Sequence, residues 1–295
     1  MAAGVARALG IDLGGTKIEG VVLDADLHVV ARRRVATERE RGYEHILDRV
    51  GQVVAALRVE APDVAAVGIG TPGSESTRTR LLKNSNTTCL NGRPLRADLE
   101  RRLGLPVVLE NDANCFALAE ARDGAGRGAG LVFGVILGTG VGAGIVVRGS
   151  VWSGPQHIAG EWGHHVLDPS GPACYCGQRG CAETFLCGPA LEAAYGASVS
   201  AGEIAARATA GEPRATEVLA RYCDRFGRAL ANVINILDPD VVVLGGGVSN
   251  LDALYTTGRG AVARYVFNDE LRTPIVKNQL GDSAGVLGAA LLTLP

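Results

Sequence analysis

The chain has 295 residues, with Lys+Arg 29 against Asp+Glu 31 and a formal net charge of −2, so no basic excess exists to neutralise a nucleic-acid backbone and the expected partner is a small molecule. No apolar run is long enough to span a bilayer, and residues 1–7 are too short and too weakly charged for a secretory signal; a cytoplasmic protein without a membrane partner is expected. Seven cysteines are an odd number, which argues against a disulfide framework, and the length suits two domains or one large α/β unit.

In chain order, residues 8–24 are two apolar runs broken by Gly14-Gly15, the pattern of a hairpin, and a third strand is expected over 29–35. Ile46, Leu47, Val50, Val53, Val54 and Leu57 fall at helical spacing within 43–57. A short buried strand over 64–69 runs into Gly70-Thr71-Pro72-Gly73. A helix over 96–104, a strand over 106–109 and a helix over 114–123 complete the first half. The second half starts as the first did. Residues 132–147 repeat strand, glycine-rich turn and strand, which suggests a duplicated domain with a cleft between the halves. The expected division is 1–123 with 282–295 against 124–281. A long amphipathic helix carries Val218 to Leu237 and stops at Asp238-Pro239, a strand over 241–244 enters Gly245-Gly246-Gly247, and 285–292 reads as a final helix.

Glycine turns expose converging backbone N–H groups that can hold phosphate oxygens. Gly14, Gly15, Thr16 and Lys17 add a hydroxyl and an ammonium, and Gly138, Thr139 and Gly140 repeat the device. One such turn is ordinarily just a turn, but two plus a triple glycine after a strand favour nucleotide binding. Gly68 to Gly73 formally matches GxGxxG, yet Pro72 and the polar run after it leave no helix to open within the glycines, so a Rossmann site is rejected. Asn111, Asp112 and Asn114 stand where a strand hands over to a helix; Asp112 fits an N-cap, but the three together exceed what a cap needs, and Asp112 is the candidate general base.

His164, Cys174, Cys176 and Cys181 form an N/S ligand set with glycines between the last ligands, which suits tetrahedral zinc. Four protein ligands close the shell, so the metal is expected to be structural. Glu161 and Glu183 bracket the loop, and the metal would fix both.

These residues resemble the ROK family of repressors and sugar kinases, and the likeness runs from Asp12-Leu13-Gly14-Gly15-Thr16-Lys17 through Glu161-Trp162-Gly163-His164 and the cysteine loop to Gly245-Gly246-Gly247. The resemblance implies a two-domain actin/hexokinase-like (ribonuclease H-like) α/β ATPase fold with an interdomain cleft, an ATP-dependent hexose kinase using Mg²⁺, a structural Zn²⁺, and a homodimer. It implies that Asp112 deprotonates a sugar hydroxyl and that Asn111, Glu161, His164 and Glu183 grip the sugar, His164 giving one ring nitrogen to zinc and the other to a hydroxyl. The turns 14–17 and 138–140 would hold ATP phosphates, with Gly245, Gly246 and Gly247 at the adenosine. The start of the first hairpin so near Met1 leaves no helix-turn-helix ahead of it, which argues against a DNA-binding regulator. The stretch 83–92, with Asn86, Thr87 and Thr88, looks most like the fructokinase/mannokinase group, so fructose is the expected substrate, with N-acetylglucosamine kinase as the alternative and a non-catalytic sugar sensor as a second. The sequence 111–118 fits N-acetylglucosamine kinases equally well.

Overall fold

A computed structural model describes residues 7–196 and 198–294; residues 1–6, read above as no signal peptide, lie outside the described residues. The chain divides into two compact units, one formed by the chain up to Asp123, by Val151–Ala159 and by everything from Asp282 onward, the other by Gly124–Ser150 and Gly160–Gly281. Val151–Ala159 thus joins the first unit, although the sequence placed it in the second domain.

In the first unit the strands are β1 (Ala8–Leu13), β2 (Lys17–Leu23), β3 (Val29–Ala36), β4 (Val67–Thr71), the two-residue ribbon β5 (Ser74–Glu75) and β6 (Leu82–Lys83), and β7 (Val107–Asn111). The five-stranded sheet runs β3-β2-β1-β4-β7, antiparallel through the hairpin and parallel from β1 to β7. Helix α1 (Tyr43–Arg58) buries the expected stripe of Ile46, Leu47, Val50, Val53, Val54 and Leu57. It lies close on β2: a Cβ at Gly20 would stand 2.6 Å from Leu57 Cδ1. Helices α2 (Leu95–Leu103) and α3 (Asp112–Asp123) flank β7 in sequence. β4 starts three residues later than the apolar run begins, because Val64 N–H is spent on a turn with Ala61 O at 3.4 Å. β7 runs two residues beyond its apolar part and passes directly into α3.

The C-terminal helix Ala284–Leu291 packs on this sheet and on α3. A Cβ on Gly68 would fall 1.8 Å from Ala289 O, and one on Gly288 would fall 1.8 Å from Cys115 O. Gly68, the first glycine of the rejected GxGxxG match, is therefore required by helix packing rather than by a dinucleotide.

The second unit repeats the plan. β8 (Leu131–Leu137), β9 (Val141–Val147), β10 (Ser150–Val151), β11 (Val241–Gly245) and β12 (Ile275–Lys277) form a sheet of order β10-β9-β8-β11-β12, with the β8–β9 hairpin antiparallel and β8, β11 and β12 parallel. Short α4 (Glu183–Leu186) and α5 (Gly188–Tyr195) precede α6 (Ala201–Thr209), the 25-residue α7 (Pro213–Leu237) and α8 (Thr257–Tyr265). α7 begins at Pro213, a residue preorganised for the first helical turn, and ends at Asp238 in a left-handed conformation (φ 43°) before Pro239. Among the described residues no helix is long and apolar enough to cross a membrane.

Candidate functional site

Candidate residues fall in both units. In the first, β7 delivers Glu110, Asn111 and Asp112 to the start of α3. The Ala113 N–H at the helix start donates to Asn111 Oδ1 (2.9 Å) and to Asp112 Oδ1 (2.8 Å). The Asn111 amide donates to Gly73 O at 3.4 Å, so this side chain has structural work on both ends. Glu110 accepts from Asn111 N–H (2.8 Å), Asn114 Nδ2 (2.9 Å) and the Ser153 hydroxyl (2.5 Å), which ties segment Val151–Ala159 to β7. Sequence reasoning missed Glu110 and Ser153, and no spacing signal connects residues so far apart.

It also passed over Asp12, the one charged residue in the apolar strand β1. Its carboxyl is pushed up to about 6, chiefly by burial, with Lys17 pulling the other way. A Cβ on Gly285 would lie 3.7 Å from this carboxyl. Beside it the Gly14 N–H closes the turn onto Lys17 O at 3.0 Å, and the fully buried Thr37 donates its hydroxyl to Gly14 O at 2.7 Å. Lys17 stands 3.3 Å from the buried carboxylate of Glu19.

The 83–92 loop, whose likeness to the fructokinase/mannokinase group made fructose the expected substrate, is mostly engaged with itself. Ser85 N–H donates to Asn91 Oδ1 at 2.8 Å and Asn91 Nδ2 returns to Ser85 O at 2.9 Å. Thr87 is buried, and its hydroxyl would lie 3.3 Å from a Cβ on Gly15, so it faces the glycine turn. Asn86 and Thr88 remain exposed.

In the second unit the structure gathers His164, Cys174, Cys176 and Cys181 so that one ligand atom from each lies within 4.8 Å of all the others. His164 Nδ1 is 3.5 Å from Cys174 Sγ, and the sulfurs of Cys176 and Cys181 are 3.6 Å apart. With Zn–S near 2.3 Å and Zn–N near 2.0 Å, a tetrahedron has edges of about 3.5–3.8 Å, so donor set and spacing both fit zinc. Burial and the neighbouring thiols push Cys181 up to about 12, and burial raises Cys174. Cys176 is lowered, first by the Gln178 backbone N–H. His164 Nε2 meets the Tyr175 hydroxyl at 2.9 Å, the rings edge-on at 5.0 Å, so the nitrogen expected to face a sugar hydroxyl has a phenol on it. Burial raises Tyr175 to about 12, and the charges of Glu183 and Glu161 add to the rise.

Glu183 reaches back to the second glycine turn. Its Oε2 accepts from Val141 N–H at 2.9 Å and would lie 2.7 Å from a Cβ on Gly140. On the same edge, Gly138 O accepts from Gly188 N–H at 2.8 Å, where α5 begins. Gly246 (φ 81°) turns under Leu137, whose carbonyl oxygen its Cβ would approach to 2.4 Å. Side chains added at Gly138 or Gly247 would meet nothing within 4 Å, which leaves room for a ligand against backbone amides. Thr139 lies between Gly138 and Gly140 on this turn, and Gly245 ends β11.

The ROK family model matches residues 8–295. The N-acetyl-D-glucosamine kinase of Photobacterium profundum is 40% identical over 299 residues, spanning 97% of this chain and 98% of that protein. Its counterpart in Vibrio cholerae serotype O1 is 38% identical over 97% of this chain and 99% of that protein. Among solved structures, a ROK hexokinase from Thermus thermophilus superposes with a TM-score of 0.86 at 36% identity, covering 97% of each chain. A ROK glucokinase from Streptomyces griseus, solved with glucose and AMPPNP, gives 0.79 at 32% identity, covering 97% of this chain and 99% of that one. The actin/hexokinase-like α/β fold expected from the sequence is thus the fold of this chain. The placement in the fructokinase/mannokinase group, and fructose as the substrate, are overturned by these N-acetylglucosamine kinase relatives. The physical reason lies in the 83–92 stretch: Ser85 and Asn91 bond each other to fold the loop and Thr87 faces the glycine turn, so the identities of these three report loop closure rather than a sugar.

Proposed function

Because the chain belongs to the ROK family, we propose that it is an ATP-dependent sugar kinase that transfers the terminal phosphoryl group of ATP to the primary hydroxyl of N-acetyl-D-glucosamine. The observation that carries the sugar is the end-to-end similarity to kinases of that name, 40% and 38% identical. The site fits the chemistry. Asp112, at the mouth of α3, accepts the Ala113 N–H on its own Oδ1 at 2.8 Å, a bond that orients its carboxylate as a base that must meet a hydroxyl requires. Asn111, Asn86, Glu161, His164 and Glu183 are the proposed sugar contacts. The amide-lined turns at Gly14–Lys17 and Gly138–Gly140 are proposed to hold phosphates, and Gly245–Gly247 the adenosine.

Mg²⁺ would neutralise charge on the ATP phosphates during transfer. Asp12 is the carboxylate that fits it, since burial beside the first turn leaves it poorly compensated without a cation. Zn²⁺, held by His164, Cys174, Cys176 and Cys181, would be structural, because four protein ligands leave no water position. Its role is to hold the loop between Glu161 and Glu183 in shape.

The experiment is ATP turnover with a panel of hexoses. N-acetylglucosamine is expected to have the highest kcat/KM, with glucose below it. A higher kcat/KM for glucose would move the chain toward the hexokinases, and no turnover with any sugar would leave a non-catalytic sensor.

A further inference from the structure

At the β1–β2 turn the cation in the sequence is not the cation in place. Lys17 is engaged by Glu19, whose carboxylate is 1% exposed and also pairs with Arg34 at 2.7 Å and Arg32 at 3.5 Å. Gly15 instead has Arg39 beside it: a Cβ built there would lie 3.4 Å from Arg39 Nη1. Among the described residues the Arg39 guanidinium has no carboxylate within ion-pair distance, whereas Arg41 and Arg49 both pair with Glu38.

The backbone that carries Arg39 is held in an unusual shape. Glu38 adopts a left-handed conformation (φ 51°, ψ 49°), costly for a residue with a side chain, and Gly42 closes the short turn at φ 88°. The Glu38 carboxylate is pinned by His45 Nε2 at 2.8 Å, Arg41 at 3.6 Å and Arg49 at 3.7 Å. Just upstream, Thr37 N–H donates to Thr16 O at 3.0 Å and its hydroxyl to Gly14 O at 2.7 Å, which locks this segment to the glycine turn. Cys89 Sγ, on the neighbouring loop, stands 4.0 Å from Arg39 O. The result is a solvent-facing guanidinium, free of acids, set against a turn whose Gly15 permits close approach to backbone.

We propose that Arg39 is a phosphate-binding residue, and that its guanidinium rather than the Lys17 ammonium supplies the positive charge that holds a phosphoryl group of ATP at the Gly14–Gly15 turn. The inference rests on the ATP-dependent reading above. A guanidinium suits the task because its planar fork can give two parallel N–H donors to one phosphate, which a lysine cannot reproduce.

The test is ATP titration by calorimetry on the full chain, with steady-state kinetics alongside, for Arg39→Ala, Arg39→Lys and Lys17→Met. Arg39→Ala is expected to weaken ATP binding about tenfold, the scale of one lost charge-assisted contact, with the KM for sugar within about twofold of wild type. Arg39→Lys should recover only part of this, and Lys17→Met should lose less than Arg39→Ala. Unchanged ATP affinity in Arg39→Ala, or a larger loss in Lys17→Met, overturns the proposal. So does weakened inhibition by sugar 6-phosphate with ATP binding intact, which would assign Arg39 to the product instead. A wild-type protein that binds no ATP defeats the kinase reading itself, whereas a wild type that binds ATP beside an indistinguishable Arg39→Ala defeats only this inference.

Discussion

The β1–β2 and β8–β9 hairpins are one device written twice, each closed by a glycine N–H across its turn (Gly14 to Lys17 O at 3.0 Å, Gly138 to Gly140 O at 2.9 Å), yet the side chains around them differ: a guanidinium stands at the first and a carboxylate at the second. Arg39 stands over the first turn and the buried Asp12 lies behind it. Glu183 occupies the Val141 amide of the second, and Gly138 next to it opens onto empty space. Backbone geometry that can receive phosphate is therefore shared, and the side chains that give each turn a different task come from elsewhere in the chain.

The proposed asymmetry can be broken most sharply at Asp112, in the first unit. Asp112→Asn should keep the fold and ATP affinity while lowering kcat by about two to four orders of magnitude, the usual worth of a positioned general base. Near-normal turnover in single-turnover assays removes Asp112 from the chemistry.

In the second unit the largest effect is expected from the metal loop. Cys176→Ser opens the ligand shell, so the purified protein should carry less zinc by elemental analysis, and the KM for sugar should rise by roughly ten- to a hundredfold, more than the KM for ATP. Wild-type protein free of zinc would sink the structural-metal reading.

The second turn itself separates into two cases. Gly138→Val places a branched side chain in open space, and should weaken ATP binding about tenfold with little change in Tm. Gly140→Val meets the Glu183 carboxylate at 2.7 Å and should cost about 1–3 kcal/mol of stability as well. Thermal melts that rank the two the other way would show that the turn relaxes around Glu183.

The remaining prediction concerns pH and the first turn and touches stability rather than activity. Asp12 ionises at 3.8 in an unstructured chain and at about 6 in the fold. Below the lower value both forms hold the proton and nothing is lost. As pH rises toward 6 the unfolded chain ionises first, so folding stability falls, and the loss is complete above the folded pKa. Asp12→Asn should therefore raise stability at pH 8 by about 3 kcal/mol and by roughly half as much at pH 5, as denaturant titration would show. An equal gain at both pH values would contradict a buried, uncompensated carboxyl.

Local pattern made much of this chain legible in one dimension. The apolar stripe of α1 needs only its own spacing, and it buries as read. His164, Cys174, Cys176 and Cys181, the four residues that could hold a metal, lie within eighteen residues, so a short loop gathers them. Turn positions Gly14-Gly15 and Gly138–Gly140 follow from glycines between apolar runs, because few other residues permit such tight reversals.

Tertiary structure decided what long-range contacts alone can decide. The sequence marks Lys17 as a cation at the first turn, but only β2 and β3 gather Lys17, Arg32 and Arg34 around the Glu19 carboxylate, and only the turn held by His45 and Arg49 brings Arg39 to Gly15. In the 83–92 loop the sequence shows hydrogen-bonding capacity but not where it is spent: Asn86 and Thr88 stay exposed, while their neighbours are engaged. Ser85 and Asn91 spend it on each other, and Thr87 is buried against the turn. Ser153 meets Glu110 across forty-three residues, a distance over which no local periodicity carries information. The sequence by itself determined which backbone could receive phosphate and which side chains could hold a metal; only the packed fold decided which charges remain available to a ligand, because a buried charge is first claimed by whatever partner folding places beside it.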